Sequence, residues 1–331
     1  MEALTSNQEI SPPLAPGKFI DPDRTAKGEP RAAVPLARLE TLWINTGTLC
    51  NIACVNCYIE SNQRNDRLAY ITAAEAAVFF DEIKAFGLKT REIGFTGGEP
   101  FVNPQILTMM ADALQRGFEV LILTNAMRPM QRLRVKAGLI DLKARHGARL
   151  RLRVSLDHYT QELHETERGP GSWRPTLDGL DWLAENGFRI AVAGRTCWGE
   201  PEGALRAGYQ RLFAERGWPI DAGDAGELVL FPEMNERLDV AEITTACWGI
   251  LGVNPKSVMC ASSRMVVKRK GAARPTVLPC TLIAYDEAFE MGGSLDEAAR
   301  ADGGNFANGA VKLNHPHCAR FCVLGGGSCT A

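Results

Sequence analysis

The sequence predicts an α/β fold: a parallel sheet covered by helices, followed by a smaller cysteine-rich region. Three observations predict it. Six strand-like segments alternate with helix-like ones between Leu39 and Phe231, the pattern of a parallel sheet with helices packed on its faces. Short motifs rich in Gly, Asn and Asp stand at the C-terminal ends of several of these strands, where ligands gather in parallel α/β architectures. After about residue 245 the periodicity breaks, and Gly, Cys and short segments take over.

The elements follow in order. Residues 1–38 are Pro-rich, lack apolar periodicity and read as an extended N-terminal segment. LETLWIN (39–45) is the first strand. In TAAEAAVFFDEIKAFG (72–87), Thr72 and Glu75 form a capping box, Phe79, Ile83 and Phe86 recur at helical spacing, and Gly87 stops the helix. REIGFTG (91–97) is the second strand. Asn103 and Pro104 then open a helix with Ile106, Met110, Ala113 and Leu114 on one face. FEVLILT (118–124) and ARLRLRVSL (148–156) are the third and fourth strands. A helix carrying Leu177, Leu180 and Leu183 ends at Gly187, and FRIAVAGR (188–195) is the fifth strand. A helix with Leu205, Tyr209, Leu212 and Phe213 leads to ELVLF (227–231), the sixth. Six units are too few for a closed eight-stranded barrel; a doubly wound sheet also fits the pattern.

Composition narrows the function classes. Hydrophobic residues make up 45% and charged residues 23%, as in ordinary soluble domains. A net charge of −2 leaves no electrostatic footprint for nucleic acid or an anionic membrane. No apolar run approaches the roughly 18 residues of a spanning helix, and the N-terminus lacks the basic start and apolar middle of a signal peptide. The expectation is a cytoplasmic protein with neither nucleic-acid nor membrane partners. Its ten cysteines are then the anomaly, because a reducing cytosol does not keep structural disulfides. Three lie at 50–57 and five at 260–329, and such clustering favours metal over packing. Cys197 and Cys247 each stand in a Cys-Trp-Gly triplet and read as plain buried thiols.

Cys50, Cys54 and Cys57 are spaced C-x3-C-x2-C just after the first strand. A loop with this spacing wraps three thiolates around three corners of an iron–sulfur cube. Three ligands leave one iron open, as a catalytic zinc keeps an open position. A zinc knot needs a fourth Cys or His, and none lies within 45–70. Buried cysteines packed as small hydrophobes have no use for the spacing.

At this point the chain resembles the radical S-adenosylmethionine (SAM) superfamily. The triplet is followed by an aromatic residue, Tyr58. Gly97-Gly98-Glu99-Pro100 resembles the GGEP motif that approaches the SAM amino group. Thr124-Asn125 resembles a TNG motif, with Ala126 where Gly is usual. Ser155-Leu156-Asp157 and Arg168-Gly169 resemble the SxD…RG stretch that meets the ribose and carboxylate of SAM. The match covers roughly residues 39–232. It implies a partial (β/α)6 TIM-like barrel with a small C-terminal Fe–S cluster domain: residues 1–38 as the N-terminal segment, 39–244 as the core, 245–331 as the auxiliary domain. It implies a [4Fe–4S] cluster on Cys50, Cys54 and Cys57. It also implies a SAM site from Tyr58, Gly97, Gly98, Glu99, Pro100, Asn125, Ser155, Asp157, Arg168 and Arg195.

The C-terminal cysteines are Cys260, Cys280, Cys318, Cys322 and Cys329. Residues 258–280 read as two strands joined by a basic turn with a Cys near each end, and 292–300 as a short helix. This resembles the SPASM and Twitch extensions of radical SAM enzymes. Five cysteines suffice for one auxiliary [4Fe–4S] cluster, the Twitch case, with Cys260 and Cys280 joined by two of the other three. A zinc site using His315 and His317 is the rival reading.

The function implied is reductive cleavage of SAM to a 5′-deoxyadenosyl radical, with hydrogen abstraction from a substrate and an external donor such as flavodoxin or ferredoxin. The auxiliary cluster would accept an electron or anchor the substrate. Only 38 residues precede the first strand, so the N-terminal peptide-binding domain of many peptide maturases is not expected. That favours a small-molecule substrate, with a peptide or protein maturase as the alternative. No catalytic base is assigned; Asp157, Asp221 and Glu233 are candidates by their nearness to strand ends.

Overall fold

The computed structural model describes residues 12–232 and 235–326. A two-residue strand β1 (Ala33–Val34) precedes β2 (Thr41–Asn45). The chain then alternates: α1 (Ala73–Ala85), β3 (Glu92–Thr96), α2 (Ile106–Gln115), β4 (Glu119–Thr124), α3 (Arg128–Gln131), α4 (Leu133–His146), β5 (Leu150–Ser155). It continues through α5 (Gln161–Arg168), α6 (Trp173–Glu185), β6 (Arg189–Arg195), α7 (Glu202–Arg216) and β7 (Leu228–Phe231). The last part holds α8 (Cys247–Leu251), β8 (Ser263–Val267), β9 (Thr276–Leu278), α9 (Leu295–Ala299), β10 (Phe306–Ala307) and β11 (Ala310–Lys312).

Local signals set the boundaries. Thr72 caps α1 by accepting from the Glu75 N–H, and the Glu75 carboxylate accepts in return from the Thr72 N–H at 2.9 Å. Gly217, in the left-handed region at φ +68°, ends α7. The pair α3 and α4 has no counterpart in the sequence reading. Charged residues dominate α4, and only Val135, Leu139 and Leu142 are buried, so its apolar stripe is too thin to stand out.

Among the described residues the main sheet has eight strands in the order β7-β6-β5-β4-β3-β2-β8-β9. All neighbours are parallel except β8 and β9, which form an antiparallel hairpin. The six strands read from the sequence are β2 to β7, in sequential order. β2 and β3 are buried throughout, as parallel strands covered on both faces must be. The inner faces of β3 to β7 border one cavity, so the open sheet curves as a partial barrel does.

The cysteine-flanked hairpin is present, but it does not stand apart. β8 pairs in parallel with the outer edge of β2, Thr41 opposite Ser263 and Ile44 opposite Val266. A boundary near residue 245 therefore separates segments that share one sheet. The N-terminal segment is likewise tied down. β1 joins β11 in a small antiparallel sheet with β10. Arg31, fully buried, pairs with Glu242 at 2.7 Å. No helix among the described residues is long and apolar enough to cross a membrane.

Candidate functional site

The loop after β2 carries three thiols to the mouth of the curved sheet. Cys50 is buried, and Cys54 and Cys57 are half-buried. All three line the same cavity, together with Tyr58, Gly97, Gly98, Asn125, Ser155, Asp157, Arg168 and Arg195. Burial, and then the Glu99 carboxylate, push the Cys50 thiol up to about 12. Burial also raises Cys54. Such thiols stay neutral at physiological pH until a metal displaces the proton. Among the described residues no three Cys, His, Asp or Glu side chains converge closely enough to hold one metal ion. Three thiols spread around a shared cavity suit a cluster of several irons better than a single zinc.

The Gly-Gly turn positions this loop. Gly98 donates its N–H to Gly47 O at 2.8 Å, and Glu99 donates to Leu49 O at 3.2 Å. A Cβ on Gly98 would lie 2.3 Å from the Leu49 oxygen. At Gly97, with φ +139°, a Cβ would lie 2.5 Å from the Gly47 oxygen. The end of β3 therefore packs directly on the cysteine loop, a contact that only glycine permits. Gly98→Ala is expected to cost about 1–3 kcal/mol, as overpacking does, and to push the loop outward. Iron retained after anaerobic reconstitution should fall while far-ultraviolet circular dichroism holds. Unchanged iron binding would show that the close approach is dispensable.

Glu99 is buried, and its carboxylate is held at three points. Oε1 accepts from Thr124 Oγ1 at 2.9 Å and from the Phe101 N–H at 3.2 Å; Oε2 accepts from the Asn125 N–H at 2.8 Å. Burial outweighs these bonds and lifts Glu99 to about 7. An ammonium brought beside it would restore the charged form. Pro100 starts a buried 3₁₀ turn behind it. Asn125 donates to Asn51 Oδ1 at 2.9 Å, and its Nδ2 lies 3.9 Å from Cys50 Sγ, tying the end of β4 to the cysteine loop. Ala126, where glycine is usual in the resembling motif, does adopt a left-handed φ of +56°. Gln131 holds its carbonyl at 2.7 Å.

Asp157 and Arg168 pair with each other. Arg168 Nε lies 2.6 Å from Asp157 Oδ2, and Nη2 donates to Oδ1 at 3.3 Å. Both side chains are nearly buried. Beside them, Glu167 is buried and was missed in the sequence. Its Oε1 accepts from Asn56 Nδ2 at 2.7 Å, and Arg195 Nη1 stands 3.8 Å from Oε2. Glu167 Oε2 and Ser61 Oγ, both in residues lining the cavity, have no hydrogen-bond partner among the described residues. Buried polar atoms of this kind are where a polar ligand is received. Arg153, buried on the inner face of β5, also lines the cavity. Neither Glu167 nor Arg153 stood in a recognisable motif.

The structure does not bring Asp221 to this cavity. It is exposed before the N-terminal end of β7 and accepts from the Gly223 N–H at 2.8 Å, at the opposite end of the sheet. Glu233 and Cys329 lie outside the described residues. Four other C-terminal cysteines, Cys260, Cys280, Cys318 and Cys322, line a second small cavity with His317. Cys318 and Cys322 lie on one helical segment, Cys318–Leu324, of π type. Burial pushes Cys260 up to about 11 and also lifts Cys318 well above the ordinary thiol range. His315 does not line this second cavity; it lies 3.6 Å from Glu236.

Comparison with known proteins agrees with this geometry. Residues 44–199 match the profile of the Radical SAM superfamily. The antilisterial bacteriocin subtilosin biosynthesis protein AlbA of Bacillus subtilis is 27% identical over 145 residues, 44% of this chain and 30% of AlbA. The AdoMet-dependent heme synthase of Methanosarcina barkeri is 29% identical over 144 residues, 43% of this chain and 38% of that protein. The chain thus spans about a third of the length of these curated relatives. The fold is shared with Streptococcus suis SuiB bound to its precursor peptide SuiA, at a TM-score of 0.57 and 12% identity, covering 81% of this chain and 66% of SuiB. The cysteine triplet and the strand-end motifs as far as Arg168 lie within the matched residues, and the chain carries a radical SAM superfamily domain over residues 44–199.

Proposed function

We propose that this enzyme modifies a peptide or protein, in place of the small molecule that the sequence reading favoured. The observation that carries this is a groove. The cavity holding Cys50, Cys54 and Cys57 shares Asn56, Cys57, Tyr58 and Leu282 with an open trough. The trough runs past Glu60, Arg67, Arg237, Tyr285, Asp286 and His315 towards the second cysteine site. An extended chain fits an open, polar trough; a small metabolite is better served by an enclosed pocket. AlbA, a bacteriocin biosynthesis protein, and SuiB, solved with a precursor peptide, support the same reading.

In this reading residues 39–244 are the core and 245–331 the auxiliary region, joined through β8. Cys50, Cys54 and Cys57 hold the [4Fe–4S] cluster that binds SAM. Glu99 receives the SAM ammonium, and Gly97, Gly98 and Asn125 keep the cysteine loop against the sheet. Tyr58, Ser155, Asp157, Arg168 and Arg195 border the remainder of SAM, with Glu167 as a further acceptor. Asp157 orients Arg168, so it is not free to act as a base. When bound, the cluster and SAM supply a reductively generated 5′-deoxyadenosyl radical; the protein supplies placement and exclusion of water. Cys260, Cys280, Cys318 and Cys322 hold the auxiliary [4Fe–4S] cluster.

The test is anaerobic turnover with SAM and dithionite. One arm adds a pool of synthetic peptides containing Cys, Ser, Tyr, Trp and Lys; the other adds a tetrapyrrole or a nucleoside triphosphate. Peptides should raise the release of 5′-deoxyadenosine and emerge with an altered mass. Stimulation by the small molecules alone would overturn the peptide reading and leave the SAM chemistry standing.

A further inference from the structure

Arg264 lies on β8, between the two cysteine-bearing ends of the hairpin, and is only 2% exposed. A buried guanidinium carries a large desolvation penalty unless a negative charge compensates it. For two other buried arginines that compensation is a carboxylate: Arg31 has Glu242 at 2.7 Å, and Arg168 has Asp157 at 2.6 Å. Among the described residues Arg264 has only neutral acceptors. Its Nη1 donates to Cys260 O at 2.6 Å and to Ser263 O at 2.7 Å, and its Nη2 to Gly309 O at 3.3 Å. These bonds satisfy its protons and fix its position. They leave its charge unneutralised. The acid-forming groups that face it are Cys260 and Cys280, two of the four thiols around the second cavity. The guanidinium is not itself among the residues lining that cavity. It stands one layer behind them, out of water.

We infer that Arg264 is the fixed counter-cation of the auxiliary cluster and holds its reduction potential up. The inference rests on the assignment of that cluster to Cys260, Cys280, Cys318 and Cys322. Four thiolates give a bound cluster a net negative charge, and each electron taken up adds one more. A permanent positive charge at close range in a poorly solvated interior stabilises the reduced form more than the oxidised one. No proton is involved, since arginine stays charged throughout. Arg264 is thus a positioning residue of the electron-transfer path: it makes the auxiliary cluster the better acceptor of an electron leaving the substrate.

The test is a redox titration of the anaerobically reconstituted full chain with dithionite, followed by electron paramagnetic resonance. The first cluster is recognised by its response to added SAM. Arg264→Met removes the charge and keeps the bulk; Arg264→Lys keeps the charge. The midpoint of the auxiliary cluster should move to lower potential in Arg264→Met and stay near wild type in Arg264→Lys. Should Arg264→Met shed only the auxiliary iron while Arg264→Lys retains it, the same conclusion holds, because charge is what the cluster needs. An unmoved midpoint in Arg264→Met overturns the inference. So does an equal shift, or an equal loss of iron, in both variants, which would assign Arg264 to holding the three carbonyls. A wild-type protein with iron for one cluster only would instead remove the auxiliary cluster itself.

Discussion

Replacing Cys50, Cys54 and Cys57 together by alanine should leave about four irons per chain after anaerobic reconstitution, against about eight in the wild type. Release of 5′-deoxyadenosine from SAM and dithionite should disappear. The physical ground is that all three thiols line one cavity, while Cys260, Cys280, Cys318 and Cys322 line another. The second set should therefore load independently. Cys280→Ala makes the converse case: about four irons again, but with SAM cleavage kept. Colorimetric iron and sulfide assays, with chromatography of the nucleoside, measure both. Full iron in the triple variant would detach the cluster from this loop, and zinc near one equivalent in the wild type would return the second site to a structural metal.

The second large effect is expected at the Asp157–Arg168 pair. Both groups are nearly buried and meet at 2.6 Å. Removing either one strands the other as an uncompensated charge, which costs about 3–5 kcal/mol. Asp157→Ala and Arg168→Ala should each lower the midpoint of chemical denaturation accordingly. The double variant should lose less than the sum, because neither charge is left alone. A stability change below about 1 kcal/mol, the range of exposed pairs, would mean that the pair is open to water. SAM affinity of the folded Arg168→Ala protein, measured by equilibrium dialysis, then separates binding from stability.

Much of this site was legible because its residues come in ordered, spaced groups. The C-x3-C-x2-C triplet, GGEP, Thr124-Asn125 and Ser155-Leu156-Asp157 each sit at a strand end, and alternation of apolar and helical segments located those ends. The capping box at Thr72 and Glu75 gave the start of α1 to the residue. What escaped were single charged residues. Glu167 stands at the end of a short polar helix that reads as surface. Arg153 alternates with leucine and valine in a strand and carries no motif, and Arg264 looks like one more basic residue in a basic hairpin. Their burial is a tertiary fact, created by elements distant in sequence. The same holds for β8. A hairpin flanked by cysteines reads as a local unit, and nothing in its residues says that its first strand seeks out β2. Asp221 failed for the opposite reason: nearness in sequence to a strand says nothing of which end of it the residue occupies.

The pairing of β8 with β2 sets an order on biosynthesis. β2 leaves the ribosome ahead of both its neighbours, and the inner one, β3, follows within some fifty residues. Its other edge is covered only by β8, more than two hundred residues later. Until then the nascent chain carries an open row of backbone donors and acceptors on a strand that reads TLWIN, apolar enough to recruit another chain. Closing so long a loop is slow. The iron-binding loop begins at Cys50, directly after this strand, so cofactor loading and edge protection meet at one place in the chain. Iron starvation during expression is thus expected to appear as aggregation of the nascent protein, well before it appears as lost chemistry.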